Sequence, residues 1–386
     1  MRHLLSHDAR FAVVGAGPAG CATAAYLARA GEDVLLLDRD RTPRVAVGES
    51  LLPLAAEVIE DLGVSMDGFL VKRGAVFARG TEHTRFDFSE ALRPRWPHAW
   101  QCPRDDLDTR LRAAADRAGA HLRITRVRAI DPDGAVHTDD GDLRAEVVVD
   151  AAGRGQLLAR ALGLHRGYPD LRHAARTAWF TGVRRLEGEQ EGDIVIASCD
   201  AGWFWVIPFA DGTTSVGLVG EGAALAGEGA VERAAARCGA VAERLHDAER
   251  VEPWRGTSDF TVGAQRLHGP GWALVGDAAS FLDPVFSTGV TLALHSGRWL
   301  AEALIDGDLP GYETRLRDAI EAVLPAIRAF YDGSFLGVAL SEAARARGGV
   351  RSAVVSLLSG DVFDPDFTPP RRIARRLGDL ARRLEV

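Results

Sequence analysis

An apolar run at residues 11–14 leads straight into Gly15-Ala16-Gly17-Pro18-Ala19-Gly20, and no other feature restricts the fold of this chain as tightly. Residues 21–30 have helical character, 33–37 form a second apolar strand, and Asp38 closes that strand. Strand, glycine turn, helix, strand and an acid about 20 residues on make the βαβ unit that binds a dinucleotide. Gly15 allows the tight turn, Gly17 lets a pyrophosphate approach the backbone, and Gly20 lets helix and strand pack closely. The phosphates then sit at the positive end of the helix, with Asp38 placed to accept hydrogen bonds from the adenosine ribose.

The rest of the 386 residues suits a large cofactor domain joined to a smaller one. After Gly48-Glu49-Ser50-Leu51-Leu52-Pro53 a helix is expected through residue 62, then strands at 75–78 and 83–88 and a helix at 105–118. Strands follow at 122–130, 135–138 and 147–149, the last closing on Asp150-Ala151-Ala152-Gly153, a second glycine turn after a buried strand. From 175 to 219 apolar and polar residues alternate as in an antiparallel sheet with one covered face. Residues 223–250 are alanine-rich with helical spacing, 272–275 is a buried strand ending in Gly276-Asp277, and a long helix is expected from about Ser287. Beyond 309 the chain reads as helices, interrupted at Gly348-Gly349 and at Asp364-Pro365-Asp366.

Composition removes several function classes. A net charge of −8 argues against a general nucleic-acid binder, which needs a basic field. The apolar runs fall short of the ~20 residues of a membrane span, so no membrane association is expected. Residues 1–10 lack the apolar core of a secretion signal, and a soluble, cytoplasmic protein is expected. Four cysteines without a CxxC pair and eleven histidines without an HExxH pattern indicate neither a disulfide framework nor a metal site. Near the C-terminus Arg371, Arg372, Arg375, Arg376, Arg382 and Arg383 surround an apolar stripe of Ile373, Leu377, Leu380 and Leu384. This pattern describes a helix docked by its leucines with solvated arginines outside, the competing reading being a face for an acidic partner. Among 46 basic residues Lys72 is the only lysine, and composition alone leaves open whether it is a surface survivor or a working residue.

The glycine loop, Gly48-Glu49-Ser50, Trp203-Phe204-Trp205-Val206-Ile207-Pro208, and Gly276-Asp277-Ala278-Ala279-Ser280-Phe281-Leu282-Asp283-Pro284-Val285-Phe286-Ser287-Thr288-Gly289 together resemble the flavin-dependent halogenases over residues 10–305. The likeness is to the branch acting on phenols and pyrroles, often tethered to a carrier protein. The glycine loop and Gly-Asp turn are shared with many flavin monooxygenases, whereas the WxWxIP and FxxPxxSxG patterns are much more specific. The resemblance implies an α/β fold: a Rossmann-like FAD-binding domain of glutathione-reductase type (1–75, 104–168 and 258–305), an antiparallel β-sheet substrate domain (76–103 and 169–257) and a short C-terminal helical region (306–386). It puts Gly15, Gly17, Gly20 and Asp38 on the adenosine and pyrophosphate, Arg44, Glu49, Ser50 and Leu51 beside the flavin, Arg104 reaching it, and Asp277 on the ribityl chain. Ala19, Arg39, Gly276, Pro284, Thr288, Gly289 and Val290 complete the implied cofactor contacts.

The same resemblance makes Lys72, Ser287, Trp203 and Trp205 the catalytic set. Lys72-Arg73-Gly74-Ala75-Val76-Phe77 fits the KxGAxF-like context of the family's lysine, which handles halogen oxidised at FADH2 with O2 and chloride or bromide. An amine can donate a hydrogen bond to hypohalous acid or be halogenated by it, and its pKa shifts readily in a buried site, whereas a guanidinium stays charged. Thr288 and Gly289, at a helix start, offer backbone N–H groups as a halide cradle; alternatively Gly289 merely lets the flavin ring lie on the backbone. Trp203 and Trp205 share a strand face, as a barrier to direct hydroxylation or simply as a bulky wall between sheet and FAD domain. No glutamate stands in 281–289, which counts against free tryptophan as substrate, and the short region after 305 leaves the site open to a substrate presented on a carrier or partner protein. A separate flavin reductase is the implied electron source. Competing readings are a halogenase-like hydroxylase acting on an aromatic or on a tryptophan within a partner protein, a reductase resembling geranylgeranyl reductases, and a non-catalytic flavin scaffold.

Overall fold

The computed structural model describes residues 8–44 and 46–384, so the polar lead-in at 1–7 lies outside the described residues. Apolar β1 (Ala9–Val14) lies between β2 (Val34–Asp38) and β10 (Gly141–Asp150), parallel to both, with Phe11 opposite Val34 and Val147. The sheet continues through β7 (His121–Ile124) beyond β2, and through β20 (Trp272–Leu274) and β19 (His268–Gly269) beyond β10. Parallel strands buried on both faces need helices as cover. The helix α1 (Pro18–Arg29) supplies one, α3 (Arg104–Ala118) and α7 (Thr288–Asp306) packing against it. A Cβ on Gly297 of α7 would lie 2.7 Å from Ala19 O, so these helices meet backbone to backbone.

Two strands differ from expectation for one reason each. The 122–130 run is broken into β7 and β8 (Val127–Ile130): the bonding to β2 runs to Thr125 N–H, which donates to Asp38 O, and β8 lies beyond it. From there β8 joins β9 (Ala135–Thr138), which pairs antiparallel with the first half of β10, so β10 runs from Gly141 rather than from 147.

The second sheet runs β16 (Glu249–Arg250), β12 (Ala174–Thr181), β15 (Thr214–Gly220), β14 (Gly202–Pro208), β13 (Ile194–Cys199), β4 (Gly74–Arg79), β5 (Glu82–Asp87), with β17 (Arg255–Ser258) also on β12. It is antiparallel except where β4 lies parallel to β13, a crossover the alternation pattern does not reveal. Trp203, Trp205 and Ile207 face the main core, and Phe204 and Val206 face a smaller cluster under α5 (Ala230–Arg237) and α6 (Gly239–Leu245). Helix was expected across 223–250, but it is confined to these two pieces, broken where Cys238 turns extended at φ −95° and ψ 97°.

Smaller pieces frame the junction: the β3 (Leu70–Lys72)/β6 (Ala99–Gln101) ribbon, the strands β11 (His165–Gly167), β18 (Val262–Ala264) and β21 (Ser280–Phe281), and the short helices α2 (Ala55–Asp61) and α4 (Leu157–Ala161). The C-terminal part is helical: α8 (Leu309–Tyr331), α9 (Ser334–Leu340), α10 (Glu342–Arg345), α11 (Gly348–Leu358) and α12 (Thr368–Leu384). Gly348 and Gly349, expected as a break, open α11. In α12 the apolar stripe docks as expected, yet Arg371 is buried, its Nη1 donating to both Asp318 oxygens at 2.9 and 2.7 Å, while Arg372, Arg375, Arg376, Arg382 and Arg383 stay exposed. Among the described residues no single helix is long and apolar enough to cross a membrane.

Candidate functional site

In the glycine loop the backbone sets the geometry. Gly15 has φ +109°, and a Cβ there would strike Ala151 O at 2.4 Å; a Cβ on Gly20 would lie 1.8 Å from Gly15 O. Gly17 has nothing within 4 Å of where a Cβ would stand, at the start of α1. Open space at this position and closed space at the other two are what a bound pyrophosphate requires. The Asp38 carboxylate accepts from Ala16 N–H and Asp40 N–H, both at 2.8 Å, and pairs with Arg112 at 3.1 Å, so it also braces the glycine loop. Arg39 and Arg44 are exposed and both pair with Asp40. Arg44 thus stands just beyond the end of β2, on the Asp40 carboxylate.

Gly276, at φ +58°, packs its turn on Ala19, whose Cβ would lie 2.5 Å from an added Cβ. Burial pushes the next residue, Asp277, up to about 6, Arg104 and Arg154 pulling the other way. Arg104 is itself held by Asp108 through two 3.0 Å contacts and by Val47 O at 2.8 Å. Gly48 fits between Arg104 and Val290, which would stand 2.9 and 3.3 Å from a Cβ. Ser50 Oγ, Glu49 Oε2, Gln101 Oε1 and Thr291 Oγ1 are buried here without a protein partner. Buried polar atoms left open in this way fit a polar ligand, and the residues present fit FAD.

From Gly276-Asp277 the chain continues through Pro284 in a short 3-10 turn (Pro284–Phe286) to Ser287, which takes the left-handed conformation at φ +56°. That turn aims the N-terminus of α7, Thr288 buried and Gly289 half-buried, into the junction between the two sheets. Ser287 caps nothing with its side chain.

Lys72 ends β3 and is 1% exposed. Its Nζ donates to Leu51 O at 2.9 Å and lies 5.3 Å from the Phe88 ring centroid. Burial drags the amine down to about 7, opposed by Asp193 and then Cys102. The lone lysine is therefore a buried group tied to the Glu49-Ser50-Leu51 segment. The Glu49 side chain goes elsewhere, to Trp179 Nε1, which donates at 2.7 Å. Burial lifts this carboxyl to about 7, against hydrogen bonds from Ser215 and Trp179.

Trp203 and Trp205 stand side by side, centroids 6.0 Å apart. Trp205 lies across Gly217, where a Cβ would come within 2.1 Å of the indole, and donates to Ser215 Oγ at 3.2 Å. Trp203 donates to Tyr331 Oη at 3.1 Å, Tyr331 donates to Asp283 Oδ2 at 2.7 Å, and His173 stacks on the Tyr331 ring at 3.9 Å. Burial pushes the Asp283 carboxyl up to about 6. This chain of contacts ties the two tryptophans to the Asp283–Ser287 turn through the end of α8.

Trp179, Asp193, His173 and Tyr331 were not singled out from sequence. Each meets its partner across a long stretch of chain, 130 residues for Glu49–Trp179 and 120 for Arg73–Asp193, and no local spacing signals such a pair.

The model of the family described as tryptophan halogenase matches residues 10–91 and 85–334. The chain is 29% identical over 408 residues to a 1H-pyrrole-2-carbonyl-[peptidyl-carrier protein] chlorinase of Pseudomonas fluorescens, covering 92% of this chain and 90% of that protein. Among solved structures, a flavoprotein/dehydrogenase of Cytophaga hutchinsonii superposes with a TM-score of 0.89 at 29% identity, covering 98% of both chains. The myxobacterial chondrochloren halogenase, described as a variant of the FAD-dependent halogenases, does so with 0.75 at 28% identity, again covering 98% of each. An N-terminal unit built for FAD, a buried lone lysine and a match spanning most of its length lead to one conclusion: this chain belongs to the tryptophan halogenase family and is an FAD-dependent oxidative enzyme.

Proposed function

We propose that the chain halogenates an electron-rich aromatic of phenol or pyrrole type presented on a carrier protein, with Lys72 as the residue that receives and directs the oxidised halogen. FAD, when bound and reduced by a separate flavin reductase, supplies with O2 and chloride or bromide the hypohalous acid that the reaction consumes. The glycine loop from Gly15 to Gly20, with Asp38, holds the adenosine diphosphate part, and Glu49 to Leu51, Arg104, Asp277 and the start of α7 hold the flavin part. Thr288 and Gly289 offer N–H groups and the positive helix end to the halide. Residues 1–75, 104–168 and 258–305 act as the FAD domain, 76–103 and 169–257 as the substrate domain, and 306–386 as its helical cover.

The observation that carries the reading is the Lys72 amine, buried and anchored on Leu51 O within the segment proposed to border the flavin. With a pKa brought down to about 7, the amine exists in both forms at neutral pH. Anchored by one N–H, it keeps others to donate to the oxygen of hypohalous acid, making the halogen more electrophilic. The aromatic carbon then takes the halogen, and its proton leaves with the hydroxide as water. Trp203 and Trp205 close the sheet side, keeping aromatic substrate from the flavin pocket. The carrier-bound substrate rests on the similarity to the pyrrolyl-carrier chlorinase.

Product masses decide it. Holoenzyme is given FADH2, O2, bromide or chloride, and pyrrole or phenol acids either free or carrier-linked. A halogen mass gain that requires halide and is greatest on the carrier-linked substrate supports the proposal. An oxygen gain independent of halide selects hydroxylation instead.

A further inference from the structure

The lysine rests on a turn that the proposed reaction leaves unused. Gly192 and Asp193 immediately precede β13, and the parallel register of β13 on β4, Ile194 opposite Ala75, sets that turn against the β3–β4 junction. A Cβ on Gly192 would lie 2.0 Å from Val71 O and 3.1 Å from Leu70 Cγ, so the turn presses on the backbone just before Lys72. Asp193 grips the other side: its Oδ1 accepts from Arg73 N–H at 2.9 Å, and its Oδ2 from Arg85 Nε at 2.7 Å. Gln101 Nε2, on the strand paired with β3, donates to Gly192 O at 2.8 Å and closes the frame. The Asp193 side chain is fully buried, and a buried carboxylate so placed is costly unless each oxygen is satisfied.

We propose that Asp193 is the positioning residue of Lys72, its turn clamping the backbone on both sides of the lysine and its buried carboxylate placing a negative charge next to the strand end that carries the amine. The proposal rests on the reading of Lys72 given above and deepens it. Leu51 O and the Phe88 ring face touch the amine, and Asp193 and the Cys102 thiol, which burial holds protonated well above its ordinary range, act on it through charge. Burial favours the neutral amine, and Asp193 is the largest opposing influence. Arg85 divides that influence, because it draws on the same carboxylate and on Asp87.

The test uses the absence of any other lysine. Isotope-labelled lysine in FAD-loaded protein gives a single side-chain resonance, and its titration reports the Lys72 pKa directly. Asp193→Asn is expected to lower that pKa by about half a unit or more, cutting the charged fraction at neutral pH by about 2- to 5-fold. Arg85→Gln frees the carboxylate and is expected to move the pKa the opposite way. A purely structural role predicts no such opposition of sign. A Lys72 pKa unmoved by both variants, with circular dichroism unchanged, overturns the proposal; if Asp193→Asn fails to fold, Arg85→Gln alone decides. A pKa that moves while halogenation does not would uphold the positioning and remove the halogen-handling role of Lys72. Halogenation lost in Lys72→Ala with a pKa indifferent to both substitutions would do the reverse.

Discussion

In the glycine loop, Gly15, Gly17 and Gly20 lie within one turn of chain and act through what they lack; around Lys72 and around the paired tryptophans, Lys72, Leu51 and Asp193, and Trp203, Tyr331 and Asp283, are drawn from distant segments and act through what they carry. One region is specified by backbone shape, the other by side chains that only the finished fold brings together. Damage to the first should therefore strike folding or cofactor binding, and damage to the second should strike chemistry while the protein stays intact.

The largest effect is expected at Gly20. A methyl group 1.8 Å from Gly15 O forces α1 off β1, so Gly20→Ala should cost about 3 kcal/mol or more and lose FAD, read as collapse of the thermal transition and of bound flavin absorbance. Gly17→Ala sharpens the contrast, because its Cβ meets nothing within 4 Å in the protein. It should leave the apo melting temperature nearly unchanged while weakening FAD affinity by about 10-fold or more through the pyrophosphate, measured by flavin titration. Equal damage from both would break the comparison.

At the other end, Tyr331→Phe removes one oxygen and leaves the Trp203 indole and the Asp283 carboxyl without their shared partner. The expected loss is about 1–2 kcal/mol, with flavin binding retained. Lys72→Met should stabilise the protein, raising its melting temperature by about 2 °C near pH 6. The sign follows from the amine, which titrates at about 7 folded and near ~10.4 unfolded. Between these values the unfolded chain holds a proton that the fold rejects, so the burden of Lys72 grows as pH falls and is full below about 7. The gain in Lys72→Met should therefore shrink as pH rises and vanish above ~10.4.

This division also explains what could be read from the sequence. The βαβ unit is contiguous, so its glycines and Asp38 announced both its fold and its ligand. Lys72 stood out because every other basic residue is arginine, a compositional accident that happened to mark a buried site. The parallel β4–β13 pair was invisible, since alternation is the same whichever way a neighbour runs. Arg371 was read as solvated because helical spacing ranks residues by face and cannot anticipate Asp318 arriving from α8. The pairing of Arg39 and Arg44 with Asp40 was not foreseen either, because no motif encodes an ion pair. The side-chain relay of Trp203, Tyr331 and Asp283 joins a strand, a helix end and a loop, and only their packing reveals it.

On the proposed function, one buried amine, and no other cation, turns oxidised halogen into aryl halide. Single-turnover reaction of reduced, FAD-loaded Lys72→Arg with O2, bromide and a carrier-linked pyrrole tests it, with flavin reoxidation followed by absorbance and product by mass. Reoxidation at the wild-type rate with brominated product down about 1,000-fold or more is the expected outcome. Brominated product at near wild-type yield from the arginine variant would contradict it.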